Sequence, residues 1–255
     1  ILYGDNAQGK TNVLEAVYVS GTTRSHRASK DRELIQFRQE ESHIRTIVEK
    51  GGLDYQIDMH VKKNRSKGIA INKVPIKKAS ELFGILNIVF FSPEDMNIIK
   101  NGPSERRRFL DAELCQLDKI YLYHLTKYNK ILNHRNKLLK DIRFRPELRD
   151  TLSVWDIQLA EYGKKLIFAR KKFVDELNEI VLRIHNDISG NREALELRYE
   201  PNVEGEQLEQ EILNSQEREF SGFTIPFTTL NILFISNRFL TNSSSPVQVI
   251  TVCIS

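Results

Sequence analysis

The sequence has little cysteine and no long apolar stretch. Only two of its 255 residues are cysteines, Cys115 and Cys253, and this excludes a disulfide framework and a cysteine-based zinc site. So few cysteines are typical of a protein in a reducing compartment, and we expect a cytoplasmic location. No apolar run approaches the length of about 18 residues that a membrane helix needs, so the sequence predicts no membrane span.

A large excess of charge of one sign is absent as well. The net charge is +4, with 28% charged and 40% hydrophobic residues, which is enough apolar material for a sizeable core. An excess this small does not by itself indicate a nucleic-acid partner. The distribution of the charges along the chain therefore carries more information than their total.

The two ends of the chain have unusual compositions. Ile1-Leu2-Tyr3 runs directly into Gly4, which is typical of the end of a buried strand whose beginning would precede residue 1. From Thr224 to Ser255 the only charged residue is Arg238. Two interpretations of this tail stay open: a fully buried sheet segment, or a change of reading frame that leaves residues 224–255 aberrant or disordered.

A phosphate-binding motif follows the apolar start. Residues 4–11 match G-x-x-x-x-G-K-[ST], with an apolar segment before the motif and a helical pattern after it. Such glycines let backbone N–H groups face phosphate oxygens, the lysine reaches the β and γ phosphates, and the hydroxyl ligates Mg²⁺. The motif predicts a nucleoside triphosphate with Mg²⁺, Thr11 as the metal ligand, and a nucleotide site formed by Gly4, Asp5, Asn6, Ala7, Gln8, Gly9, Lys10 and Thr11. No N-K-x-D motif that would read a guanine base is visible in the sequence, and the family resemblance described below implies that the nucleotide is ATP.

Periodicity divides the rest of the chain into an α/β pattern. We predict a P-loop lobe over 1–100, with one apolar face of a helix over 12–19, an antiparallel β meander over 44–74 and a buried strand over 86–91. A helical lobe over 101–192 would carry an antiparallel arm of two helices, 119–142 and a longer one opened by a Ser153–Asp156 capping box. We predict that residues 193–223 form an acidic, solvated segment that returns to the first lobe.

Two basic stretches are candidates for DNA contact. One lies between His60 and Ser80, the other between Lys119 and Arg149, and each is dense enough to neutralise several phosphates. The alternative interpretation is a solvated charged face. The predicted DNA-binding residues are Lys62, Lys63, Arg65, Lys67, Arg135 and Lys137. The tyrosines at 121, 123 and 128 favour helix packing over base stacking.

Several strings together resemble the RecF family, relatives of the SMC and ABC-type ATPases. Besides the phosphate-binding motif, these are S-H-R at 25–27, F-S-P-E-D at 91–95, G-P at 102–103, R-R-R-F-L-D at 106–111, and W-D with Y-G at 155–163. They cover residues 1 to about 223 in the family's order. The resemblance implies an ATP lobe and a helical lobe, an ATP-dependent homodimer, binding to duplex DNA and to single-strand/duplex junctions, and a weak DNA-dependent ATPase. It further implies RecR and RecO-type mediators as partners, recombinase loading, and a part in replication and the SOS response.

The sequence departs from the family pattern in ways that bear on activity. Ala7 occupies a position that is usually glycine, which is acceptable if its φ is negative. The family's signature motif and Walker B carboxylates would lie beyond residue 223, where this sequence has no Asp or Glu. We therefore interpret the chain as an incomplete form whose catalytic residues are unknown. The alternative is a non-enzymatic nucleotide- or partner-binding P-loop module.

Three further sites have both a functional and a plain interpretation. Arg27, shortly after the predicted first helix, either contacts nucleotide or is a surface arginine. Glu94 and Asp95 either approach the Mg²⁺ water shell or cap a helix. Arg106–Arg108 lie in a first helical turn, where cations are disfavoured, so we expect a function or a buried ion pair there.

Overall fold

The computed structural model describes residues 2–92, 98, 103–220, 230–238 and 250–251. These residues fall into two compact units. The first unit comprises residues 1–92 and 115–119, and the second comprises residues 93–114 and 120–255.

The first unit contains one helix and an antiparallel meander. Helix α1 spans Lys10–Thr22, and short 3-10 turns span Asp31–Leu34 and Ala79–Glu81. The four strands pair in chain order, and the strands are β1 (Glu41–Lys50), β2 (Leu53–Lys62), β3 (Arg65–Ile71) and β4 (Val74–Pro75). Gly51 and Gly52, with φ of 61° and 75°, make the tight β1–β2 turn. The predicted meander is confirmed.

Alternation along the strands builds the core of this unit. Ile57 and Met59, two residues apart on β2, are fully buried and pack with Val19 of α1 and Leu82. Their neighbours on the other face of β2 are polar. The sheet therefore covers its apolar side with the end of α1 and the segment that follows β4.

Three predictions for this unit are wrong. Residues 2–3 and 86–91 form no strand; Tyr3 is 92% exposed and Val89 is 99% exposed. A strand is stable only beside a hydrogen-bonding neighbour, and none of the described strands pairs with either segment. For α1, only Val19 of the predicted apolar face is buried, while Val13 is 52% exposed.

The second unit is built on long helices. Helix α2 spans Pro103–Leu117 and α3 spans Lys119–Ile142. A 3-10 turn over Pro146–Thr151 leads into α4, Leu152–Ser189, which ends at Gly190 in the left-handed conformation. Later come β5 (Glu193–Pro201), α5 (Leu208–Phe220), β6 (Leu230–Arg238) and β7 (Ile250–Thr251).

The helices α3 and α4 form the predicted antiparallel hairpin. Contacts run in reverse order along the two helices: Tyr121 meets Arg170, and Arg135 meets Asp156. Gly163 of α4 allows close packing on two sides, because a Cβ there would lie 3.3 Å from the ring of Tyr128 on α3 and 2.6 Å from the side chain of Leu208 on α5. Together with the meander, this hairpin confirms the predicted α/β fold class.

The predicted capping box at the start of α4 is wrong. The cap residue Thr151 makes no side-chain cap bond, and Ser153 donates to the carbonyl of Asp150. Asp156 is 2% exposed and accepts a hydrogen bond from Arg135 of α3. A buried carboxylate is stabilised better by an arginine than by an exposed helix start, so tertiary structure overrides the local pattern.

Residues 193–220 contribute to the packed interior of the second unit, which corrects the prediction that the segment is solvated. Leu197 of β5 is buried against Leu110 and Val174, while Leu208 and Ile212 of α5 are completely buried. Several acidic side chains of the segment, Glu200, Glu209 and Glu217 among them, are exposed, whereas Glu219 is buried. β5 packs against α4 within the second unit.

Strands are present within the tail that we predicted to be aberrant or disordered. β6 pairs antiparallel with β5 from Glu193↔Arg238 to Pro201↔Leu230, and β7 pairs with β6. This strand content matches the alternative interpretation as a sheet segment. The β-prone composition of β6 lets it extend the sheet that begins with β5.

Candidate functional site

The phosphate-binding motif folds into a loop that ends at the first turn of α1. Gly9 is the cap residue, with φ of 83°, and Gly4 has φ of 141°. A Cβ at either glycine would meet nothing within 4 Å, so backbone conformation, not crowding, requires glycine there.

Ala7 adopts the conformation that its Cβ makes unfavourable. Its φ is +63°, so the condition under which alanine would be acceptable is not met. A left-handed alanine costs on the order of 1–2 kcal/mol. The loop thus holds strain at the position where the family usually has glycine, as functional loops commonly do.

The N–H groups at the start of α1 have no side-chain cap. The cap residue is Gly9, which has no side chain, and the first turn contains no acidic residue. The N-terminal N–H groups of a helix carry partial positive charge and attract anions. This end of α1 is therefore suited to a phosphate group, which would satisfy the N–H groups that the chain itself leaves uncapped.

The Lys10 side chain folds back over the loop. Its ammonium donates to the carbonyl oxygens of Gly4, at 2.8 Å, and Asp5, at 2.6 Å. These two bonds place the cation beside the backbone that would surround a phosphate. Nucleotide binding through Lys10 would exchange one or both carbonyl contacts for phosphate oxygens.

A cavity of about 300 Å³ lies over the loop. It is lined by residues 6–12 and by Arg27, so the structure brings Arg27 to the predicted nucleotide site. Asn12 also lines the cavity, a residue that sequence reasoning missed. Its place in the first turn of α1, directly after the motif, was the available signal.

Arg27 is positioned by side chains around it. The Ser25 hydroxyl donates to Glu15 of α1 and accepts from the N–H groups of Arg27, at 2.9 Å, and Ala28, at 2.7 Å. The Arg27 guanidinium lies 3.9 Å from the same Glu15 carboxylate and is half-exposed. The S-H-R string thus acts as a turn that directs Arg27 toward the loop while part of its side chain stays accessible.

The predicted metal ligand, Thr11, is exposed in the first turn of α1. In the described part of the chain, no group of three or more His, Cys, Asp or Glu side chains could hold a metal. Glu94 and Asp95 lie outside the described residues.

The three arginines of the R-R-R string differ in environment. Arg106 is fully buried and donates to the carbonyl of Ile98 at 3.0 Å, while Arg108 forms an exposed pair with Glu105. Burial lowers the pKa of Arg106 and of Arg107. Downstream in the string, Asp111 bonds to the buried Arg170 at 2.7 Å. These contacts assign the string a structural role within the second unit.

The predicted DNA contacts of the meander carry counter-charges. Lys62 pairs with Glu41 at 3.0 Å and Lys63 pairs with Glu40 at 2.6 Å, both at exposed positions. Lys67 is mostly buried; it pairs with Asp31 at 2.8 Å and donates to the carbonyl of Thr23. Arg65 is exposed and has no ion pair with any side chain in the described ranges.

The two predicted DNA contacts on α3 have opposite environments. Lys137 is exposed. Arg135 is fully buried; it donates to Glu219 at 2.9 and 2.6 Å and to Asp156 at 2.5 Å. Its guanidinium is enclosed by helices and satisfied by two carboxylates. The prediction that Arg135 contacts DNA is therefore corrected to a structural role.

None of the described helices has the apolar length that a bilayer crossing requires. No protein-family model matches the sequence.

Curated proteins with high similarity share one description, DNA replication and repair protein RecF. The chain is 66% identical over 219 residues to the protein of Agathobacter rectalis, covering 86% of this chain and 60% of the relative. It is 58% identical over 221 residues to that of Lachnospira eligens, covering 86% and 61%. The chain thus spans about 60% of the length of the curated relatives it matches.

Solved structures show the same likeness. One is described as the recombination mediator protein RecF-ATP in the RecFOR pathway; it is 34% identical, with a TM-score of 0.84, and covers 92% of this chain and 66% of that one. A second, described as RecF-ATPrS, is 33% identical with a TM-score of 0.82.

Proposed function

The chain belongs to the RecF family, whose curated members are DNA replication and repair proteins, and we propose that it binds ATP at the loop over α1 and acts in that process. The observation that carries the proposal is the cavity of about 300 Å³ that joins the loop, the start of α1 and Arg27. A strained loop, an uncapped helix start and two cations around one cavity form a site for a polyphosphate.

Each element of this site has a defined part in binding. The N–H groups of the loop and of α1 would take the inner phosphates. Lys10 and Arg27 would approach the outer ones from two sides. The Thr11 hydroxyl would hold Mg²⁺ together with phosphate oxygens and water. The bound Mg²⁺ would supply positive charge that neutralises the phosphates.

The test is the removal of the Lys10 ammonium. Lys10→Ala leaves phosphate charge uncompensated, and we expect ATP binding to weaken by about 2–4 kcal/mol. Calorimetric titration with ATP and Mg²⁺ measures the change. The matched control is Lys77→Ala, an exposed lysine of the same unit outside the cavity, which should bind as the parent does. Equal affinities for the parent and Lys10→Ala would contradict the nucleotide site.

The family supports finer proposals for DNA and for partners. We propose that the protein contacts duplex DNA and single-strand/duplex junctions through the cations of the β2–β3 turn and Lys137. We further propose an ATP-dependent homodimer and an association with RecR and RecO-type mediators that load recombinase. The support is the resemblance of the sequence strings to the family, together with the likeness to a solved recombination mediator protein of the RecFOR pathway.

One observation favours a second candidate function. The segment 224–255 has no Asp or Glu, so it offers no carboxylate to a metal site. A P-loop module that binds nucleotide or a partner without hydrolysis is consistent with that composition. Release of phosphate from ATP that depends on Lys10 would favour a repair ATPase over this second candidate.

A further inference from the structure

Three aromatic rings meet beside the turn that carries Arg27. The ring centroid of His26 lies 4.3 Å from that of Phe90 and 5.2 Å from that of Tyr18 on α1. The centroids of Tyr18 and Phe90 are 5.1 Å apart, so each ring packs against the other two. All three side chains are half-buried and belong to the first unit. His26 is thus held between α1 and the segment that precedes the F-S-P-E-D string.

The ion pair of Arg27 does not by itself fix where its side chain points. The guanidinium lies 3.9 Å from the Glu15 carboxylate, and half of the Arg27 side chain is exposed. An exposed pair contributes little free energy, and an arginine side chain has many rotamers to lose. The direction of Arg27 therefore depends mainly on how the backbone of residues 25–28 is held.

The ring of His26 holds that backbone from a second side. The Ser25 hydroxyl accepts hydrogen bonds from the N–H groups of Arg27 and Ala28, which fixes one side of the turn. A rotation of the backbone at residue 26 would pull the His26 ring out of its contacts with the two other rings. The buried Nδ1 of His26 has no hydrogen-bond partner among the described residues. Ring packing, and not a bond to Nδ1, therefore holds this side chain.

We propose that His26 is a positioning residue for nucleotide binding, whose ring, packed between Tyr18 and Phe90, holds the turn so that Arg27 reaches the cavity over the loop. The proposal rests on the proposed function of that cavity as the ATP site. Arg27 lines the cavity and His26 does not, so His26 acts through Arg27. A guanidinium that is already directed toward the phosphates loses less conformational entropy when the nucleotide binds.

The experiment is a double-mutant cycle on His26 and Arg27, measured by calorimetric titration of the 255-residue protein with ATP and Mg²⁺. We expect Arg27→Ala to weaken binding about ten- to hundredfold, because it removes a cation from the phosphates. His26→Ala should weaken binding about three- to tenfold while Arg27 is present. In the Arg27→Ala background the same substitution should change the affinity by less than about twofold, because two residues that act as a unit are not additive. His26→Phe keeps a ring between Tyr18 and Phe90 and should restore binding to within about twofold of the parent.

Two control variants separate this role from general loosening of the unit and from a failure of the ATP site. Tyr55→Ala removes a half-buried ring of β2 outside the cavity, and it should bind ATP as the parent does. Lys10→Ala tests the ATP site itself. Weaker binding by Lys10→Ala with unchanged binding by His26→Ala would overturn the role of His26 and leave the ATP site standing. Unchanged binding by both would overturn the two proposals together.

Further outcomes would also overturn the role of His26. Equal losses on His26→Ala with and without Arg27 would show that His26 acts independently of the guanidinium. A loss on His26→Phe as large as that on His26→Ala would show that ring packing is not what matters. Thermal unfolding checks that each variant is folded. If His26→Ala does not fold, Phe90→Leu takes its place in the cycle, because it removes the ring nearest to His26 and keeps an apolar side chain. Its loss should likewise disappear in the Arg27→Ala background, and a loss that persists there would contradict the proposal.

Discussion

Arg135 connects three helices through one guanidinium. It lies on α3 and bonds to Asp156 of α4 and Glu219 of α5, and all three side chains are buried. Burial by itself would lower the pKa of Arg135, but the hydrogen bonds that Arg135 donates to Glu219 and Asp156 raise this pKa by more. Gln216 adds a bond of 2.6 Å to Asp156, so both carboxylates have partners.

Loss of that guanidinium should be costly. Arg135→Ala would leave two buried carboxylates without their cation, and we expect the free energy of unfolding to fall by about 3–5 kcal/mol. Urea denaturation followed by circular dichroism measures the change. Lys137→Ala, two residues away on the exposed side, is the control and should change stability by less than about 0.5 kcal/mol. Similar losses for the two variants would contradict the structural role of Arg135.

The sequence contained a signal for this difference. Tyr128, Ile131 and Leu139 share the buried stripe of α3, and Arg135 falls on the same stripe, whereas Lys137 does not. The DNA-binding prediction used the number of cations along the helix and not their position relative to the buried stripe, so it included both Arg135 and Lys137. For Ala7 the residue type indicated the opposite conformation, because alanine favours a negative φ and the folded loop holds it at +63°.

Among the elements, the β2–β3 turn carries the most accessible of the predicted DNA contacts in the first unit. Lys62 and Lys63 are each partly neutralised by a glutamate, and only Arg65 has no such counter-charge among the described residues. The glutamate of each pair remains near its lysine and repels phosphate, so a paired lysine adds less net positive charge to the turn than an unpaired cation does. The contribution of this turn to DNA binding should therefore rest mainly on Arg65.

Salt dependence tests that expectation. Arg65→Ala should weaken binding to duplex DNA and reduce the slope of log affinity against log salt by about 0.9, the value for one phosphate contact. Arg65→Lys keeps the charge and should retain the slope. Lys67→Ala, at a position already held by Asp31, should leave the slope unchanged. If Arg65→Ala also leaves it unchanged, the duplex contact lies elsewhere, with Lys137 of α3 as the next candidate.

Element types followed from the sequence where the pattern was long. The helix predicted over 119–142 begins and ends at those residues, and the alternation over β1 and β2 gave the meander. The short apolar run at 86–91 did not become a strand, because strand formation depends on a neighbour and not on the run itself. The contact between the rings of Tyr123 on α3 and Tyr162 on α4 depends on how the two helices lie side by side, which no single stretch of sequence shows.

For the whole molecule, the motif and the order of the strings were sufficient to predict the family and fold class. The strands β6 and β7 depended on pairing with β5 and were predicted only as an alternative. ATP hydrolysis needs a metal and a water held from more than one side, and residues 224–255 contain no Asp or Glu. A measurement of hydrolysis therefore tests whether the phosphate site works without a carboxylate from this segment.

We expect a polypeptide of these 255 residues to show no ATP hydrolysis above background, with or without DNA. Lys10 and Thr11 supply one side of the phosphate site, and residues 224–255 contain no carboxylate to supply another. Phosphate release by the purified protein measures this, with Lys10→Ala reporting contaminating activity. Turnover that depends on Lys10 would show that a catalytic carboxylate lies upstream of residue 224 and would favour the enzymatic candidate.

The bond between Arg135 and Glu219 also has a kinetic consequence. It joins residues 84 positions apart, so the chain must close a long loop before the bond can form. We expect this bond to form after the folding transition state, in which case its loss accelerates unfolding more than it slows folding. Stopped-flow chevron plots of Arg135→Ala should show a steeper rise in the unfolding rate than fall in the folding rate. The lifetime of the folded second unit would therefore depend on the bonds that join Arg135 to Asp156 and Glu219.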